Sequence, residues 1–185
     1  MRASDEGLSA TCFHRASTFL KSHPNDLGAL YFAAKSLSSM ARYAEAKALI
    51  QRAMSLCPDD RKDILYNELG LLHRSCLEPL EAEASFRKAL AVRSTSAGTH
   101  IFLGALLAVQ GRLDDAEECH RTALTCPEGA LDEAHLNLAL VLRARERYSE
   151  ALEHARAALA LDPAYEAAAS LIADLQNIAP TTSRS

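Results

Sequence analysis

With 185 residues, 49% of them hydrophobic, the chain has enough apolar surface to bury the core of an ordinary domain. Few glycines and prolines, no tryptophan and a dominance of Ala and Leu favour close helix packing over a sheet. The 20 basic and 24 acidic residues are scattered to a net charge of −4, which leaves no basic stripe to neutralise phosphates and argues against nucleic acid as a partner.

Five cysteines, Cys12, Cys57, Cys76, Cys119 and Cys126, form no CxxC pair, so neither a disulfide framework nor a zinc knuckle is predicted. The start, MRASDEGLSATCF, carries acids and no apolar core, and no later run approaches about eighteen apolar residues. Together these predict a reducing, cytoplasmic location without export signal or membrane insertion.

The first predicted element is a single helix within residues 1–26. Its apolar side is Leu8, Cys12, Phe13, Ala16, Phe19 and Leu20, and His23-Pro24-Asn25 ends it. It reads as half of a unit whose other half is absent. From Leu27 onward the chain copies itself. Residues 27–60 place Ala34, Ala46, Ala53 and Pro58; residues 63–96 place Gly70, Ala82 and Ala89 at the same relative positions. Residues 97–130 place Gly104, Ala116 and Ala123, and residues 132–165 place Ala139, Ala151, Ala158 and Pro163. Such a period of about 34 residues marks a repeat array.

Each copy reads as a helix pair. In the last one, Leu136, Leu138, Ala139 and Leu142 follow helical spacing, then the polar turn Arg145-Glu146-Arg147 leads to Ala151, Leu152, Ala155, Ala158, Leu159 and Leu161. Pro163 closes the second helix because it lacks the N–H that the ladder needs. The small residues of the ruler sit where two helices cross, allowing axes to approach to the short end of about 8–10 Å. Residues 166–178 predict an amphipathic capping helix with Ala168, Ala169, Leu171, Ile172, Leu175 and Ile178 on one side and Glu166, Ser170, Asp174 and Asn177 on the other. Residues 179–185 predict a disordered tail.

At these residues the chain resembles the tetratricopeptide repeat family. Leu69-Gly70 and Leu103-Gly104 match that family's Leu-Gly signature, and Phe86 holds its large second-helix position. The early tryptophan of the pattern is replaced by Leu30, Tyr66, His100 and His135, and the closing proline by Ser94 in the second copy; the third has Pro127 one place early. The resemblance implies an all-α fold, a right-handed α-solenoid of antiparallel helix pairs. It also implies a non-catalytic scaffold or adaptor that binds a peptide or helix of a partner protein in a concave groove lined by first helices.

Carried over by register, that groove is Gly28, Tyr31, Phe32 and Lys35 from the first copy and Asn67, Leu71 and Arg74 from the second. Ile101, Ala105 and Ala108 come from the third copy, and Glu133, Leu136, Leu140 and Arg143 from the fourth. The places at which some relatives grip a chaperone's terminal carboxylate hold Tyr31, Lys35, Glu68, Gly98 and Phe102 here. Only one of these is a cation, so no chaperone-tail clamp is predicted.

The enzyme-like features have simpler readings. Asp132-Glu133-Ala134-His135 spells a helicase ATPase motif, but it opens a helix, where acids suit the dipole, and no GxxxxGK[ST] loop accompanies it. His100, His120 and His135 lie near the packed layer without HExxH or CxxC spacing, so they predict core histidines rather than a metal site. The paired acids Asp59-Asp60, Asp114-Asp115 and Glu117-Glu118 fall at turns or helix starts. No catalytic residue, metal or cofactor is predicted. Two alternatives stay open: a regulatory or substrate-recruiting domain of a larger enzyme, and a homo-oligomeric scaffold that assembles through its first helix.

Overall fold

The computed structural model describes residues 2–182, with side chains described from Gly7 to Ile178. Ten α-helices and one short 3-10 turn form the structure of the described residues, which contain no strand. They fall into two compact units, Met1–Ser94 and Thr95–Ser185.

Unit 1 holds α1 (Arg2–Ser22), α2 (Leu27–Ser39), α3 (Tyr43–Leu56), α4 (Asp63–Ser75) and α5 (Pro79–Val92), each packed on its neighbour in order. Asp26 starts α2 because its Oδ1 accepts the Ala29 N–H at 2.7 Å, satisfying a donor that the first turn leaves open. Leu30, Leu37, Ile50 and Leu72 are fully buried, each worth roughly 1.5–3 kcal/mol of transfer from water. Between them Ala34, Ala46, Ala53, Ala82 and Ala89 are sealed at the helix crossings. Gly70 shows why small residues are needed there. A Cβ at Gly70 would lie 2.5 Å from Phe86 Cε1, inside the fully buried ring.

Unit 2 holds α6 (Ala97–Val109), α7 (Leu113–Thr125), α8 (Leu131–Ala144), α9 (Tyr148–Leu161) and α10 (Glu166–Thr182). Its crossings use Ala116, Ala123, Ala139, Ala151 and Ala158, all at 0% exposure, and Gly104, whose Cβ would lie 2.6 Å from His120 Cε1. Asp132 and Glu133 lie in the first turn of α8, so the DEAH spelling is a helix start. In α10, Ala168, Leu171 and Leu175 join Leu138, Leu142, Ala155 and Ala158 in one core, while Glu166, Ser170, Asp174 and Asn177 face water. The helix runs on to Thr182, so residues 179–182 of the expected tail are helical; residues 183–185 lie outside the described residues.

The turns within the four helix pairs share one geometry. After the caps Met40, Cys76, Gln110 and Arg145 comes a residue in the left-handed region: Ala41 (φ 57°), Leu77 (59°), Gly111 (77°) and Glu146 (61°). The following N–H then donates back into the first helix, Arg42 to the Leu37 carbonyl and Arg147 to that of Leu142, both at 2.9 Å. Glu78 does the same to His73 at 2.9 Å, and Arg112 to Leu107 at 3.0 Å. This closing bond pattern satisfies carbonyls that a helix end leaves open. Only Gly111 adopts it without a steric penalty; at each of the other three a Cβ costs about 1–2 kcal/mol.

No helix among the described residues is long and apolar enough to cross a membrane.

Candidate partner-binding site

In unit 1 the first helices α2 and α4 pack against each other and present one surface. On α2, Tyr31 and Lys35 are one turn apart and so share a face, with Tyr31 half-buried and Lys35 exposed. Phe32 is 62% exposed, and its ring meets that of Tyr31 edge-on, centroids 5.6 Å apart. On α4, Asn67 and Leu71 are half-buried and Arg74 is exposed. Gly28 is exposed as well, so all seven unit 1 residues that the register assigns keep surface. Beside them Glu68 is 5% exposed; burial raises its carboxyl above the usual range while Lys35 draws it down. Burial also raises the Tyr31 phenol, and the charge of Glu68 raises it further.

Phe32 also edges a cleft whose α1 side the register did not assign. Cys12, Arg15, Ala16 and Phe19 of α1 face Gly28, Ala29 and Phe32 of α2 around a cavity of about 420 Å³. Its apolar residues were visible as the stripe of the half unit, but a stripe does not tell a packed side from an open one.

In unit 2 the corresponding helices are α6 and α8, and here the register needs correcting. Ile101 is 1% exposed and packs with Ala97, Ala123 and Ala134; Leu136 is 6% exposed and packs with Leu138, Ala139 and Leu142. Both are core residues, because the neighbouring helix covers the side of α6 or α8 that a lone helix would leave open. The surface that remains is small and apolar. Ala105, Ala108 and Val109 of α6 and Asn137, Leu140 and Val141 of α8 line a cavity of about 290 Å³ with His120 at its wall. Leu140 is 37% exposed and Val109 88%. Arg143 is half-buried and points its Nη1 to Asp174 Oδ2 of α10 at 3.7 Å, so its charge is directed toward the capping helix.

The charged clusters elsewhere in unit 2 are saturated by one another. Glu117, 7% exposed, accepts hydrogen bonds from Arg121, Arg145 and Arg147. Burial alone would push its carboxyl up; hydrogen bonds from Arg121 and Arg147 outweigh that and hold it below the usual range. His135 and His154 share a hydrogen bond between their Nδ1 atoms, 2.9 Å apart, and burial lowers both rings. His120, the core histidine over Gly104, is pushed down to about 4 by burial.

Comparison with known proteins places this geometry in a family. The family description Tetratricopeptide repeat matches residues 27–60 and residues 132–165. No curated protein sequence matches the chain. Among solved structures, Pseudomonas aeruginosa pilF superposes with a TM-score of 0.78 at 22% identity, covering 84% of this chain and 69% of its own. A thermophilic tetratricopeptide-repeat protein of Thermus thermophilus, TTC0263, gives 0.68 at 20% identity over 95% of this chain and 99% of its own. YrrB, described as a tetratricopeptide-repeat protein with an unusual peptide-binding site, gives 0.65 at 19% identity over 90% and 84%. At these identities the structural likeness speaks for the fold, and the two matched stretches are tetratricopeptide repeats, a repeat whose fold is in general a protein-interaction scaffold.

Proposed function

We propose that the protein is a non-catalytic adaptor that holds an extended or helical segment of a partner protein against the first helices of its repeats. The observation that carries this reading is Phe32. A large aromatic ring, 62% exposed beside Tyr31 and Lys35 on a first helix, serves no core and is positioned as an anchor for an apolar side chain. In unit 2, Leu140 and Val109 around the small-residue cavity supply a second apolar anchor point. The named surface is Tyr31, Phe32, Lys35, Asn67, Leu71 and Arg74 in one unit and Ala105, Leu140 and Arg143 in the other. A peptide-binding site described for a protein of the same fold supports the reading by analogy. The titratable clusters Glu117 with its arginines and His135 with His154 satisfy each other, which suits a structural role.

The test is selection of random octapeptides on the full chain, with affinities then measured by fluorescence polarisation for the wild type, Phe32→Ser and Leu140→Ser. Enriched peptides that bind the wild type and lose at least about tenfold in affinity to one of these variants, at unchanged circular dichroism, support the proposal. Absence of any enriched peptide, or equal binding to all three proteins, overturns it.

A further inference from the structure

Three carboxylates in the described residues are buried: Asp63, Glu68 and Glu117. Two are paired, Asp63 with Arg93 Nε at 2.8 Å and Glu117 with three arginines. Among the described residues Glu68 has no hydrogen-bond or ion-pair partner at all. Nor are its oxygens among the unpartnered atoms that are fully enclosed, so they keep a path to the surface. A charge held away from water without a partner is unfavourable, and proteins rarely keep one without using it.

The surroundings of Glu68 narrow the use. It lies on α4, on the surface that α4 forms with α2, where Tyr31 and Lys35 feel or exert its charge across the helix contact. Lys35 is exposed and forms no ion pair with it. The rings of Tyr31 and Phe32, set edge to face, offer an aromatic wall of the kind on which a guanidinium or ammonium stacks. An unpaired carboxylate reached past an aromatic wall fits a cation and repels an anion.

We infer that this face of unit 1 takes an arginine or lysine side chain of the partner segment, with Glu68 as its counter-ion and Tyr31 and Phe32 as its flank. The inference rests on the proposal that the first helices hold a peptide, and it adds the chemistry of one residue in that peptide. A planar guanidinium suits the site best, because it bonds a carboxylate through two parallel N–H donors and stacks on aromatic faces.

The octapeptides enriched on the full chain provide the test. Binders should share one arginine or lysine flanked by an aromatic or aliphatic residue, and replacing it by citrulline or norleucine should weaken binding about tenfold or more. Glu68→Gln should cost the basic peptide about the same factor and leave the neutral peptide's affinity unchanged. Its thermal midpoint should hold or rise, since it removes an unpartnered buried charge; a merely structural Glu68 would lower it. Two results overturn the inference while leaving the scaffold reading intact: enriched peptides without a basic preference, or a basic preference that survives Glu68→Gln. Acidic binders that are lost on Lys35→Met likewise overturn it and point to anion recognition. If no octapeptide is enriched, the scaffold reading itself fails and this inference falls with it.

Discussion

In unit 1 the joint between consecutive helix pairs sets Lys47 of α3 against Glu78 at the α4–α5 turn; in unit 2 the same two register positions hold Glu117 of α7 and Arg147 at the α8–α9 turn. The signs are exchanged and the geometry is kept. The joint therefore needs complementary charge rather than a particular residue, and copies are not interchangeable: α7 placed against the α4–α5 turn would bring Glu117 to Glu78. Depth differs as well. Glu78 keeps 40% side-chain exposure and pairs with Lys47 and His73, whereas Glu117 keeps 10% and gathers three guanidiniums. The second contrast is the group over the crossing glycine, a phenyl ring of Phe86 on Gly70 and an imidazole of His120 on Gly104. A histidine there has the shape of the ring but leaves Nδ1 enclosed without a partner.

Substitutions and a change of pH probe this contrast. The largest effect belongs to Phe86→Ala, which empties the space over Gly70 and should cost about 3–5 kcal/mol, read from urea unfolding. Next is acid. His120 is held near 4 in the folded chain against 6.5 when exposed, so as pH falls below about 6.5 the unfolded state takes up the proton and the folded state does not. Its contribution, about 3 kcal/mol by the time pH reaches 4, is fully present above 6.5 and lost on acidification. His135 and His154, also lowered, act in the same direction. Urea midpoints at pH 7, 6 and 5 should fall, and His120→Phe should flatten the trend; a trend unchanged by that substitution would break the contrast between the two crossings.

Glu117→Gln comes third. It takes the shared carboxylate from Arg121, Arg145 and Arg147, which keep Glu150 and Asp114 as partners, and because these arginines are a third to nearly half exposed the cost should be about 2 kcal/mol, below that of a fully buried pair. Restoring the unit 1 polarity with Glu117→Lys and Arg147→Glu together should be less harmful than the two single changes predict, by thermal unfolding. The smallest effect is a gain. Leu77 is 88% exposed and in the left-handed region, so Leu77→Gly should stabilise by roughly 0.5–1 kcal/mol, seen as a higher midpoint in calorimetry.

The helix pairs could be read from the chain because a packing requirement recurs at fixed spacing. Ala46, Ala82, Ala116 and Ala151 are small for one reason, that a second helix passes over each, and the reason shows as periodicity. The shared turns were harder to see. Ala41, Leu77 and Glu146 adopt the conformation that Gly111 advertises, and no residue type at those three places signals it. The surface residues were less legible still. Ile101 and Leu136 share helical spacing with residues that remain exposed, and only the covering helix separates them.

What the sequence by itself determined is the helix pair, its period and the small residues at its crossings, since these follow from local periodicity and side-chain volume. What only the tertiary structure decided is the fate of individual side chains: that Glu68 lies buried without a counter-ion, that Glu117 gathers charges some thirty residues away, and that Ile101 belongs to a core. Burial and pairing depend on which helix lies across a given face, a relation between residues far apart in the chain that no local pattern contains.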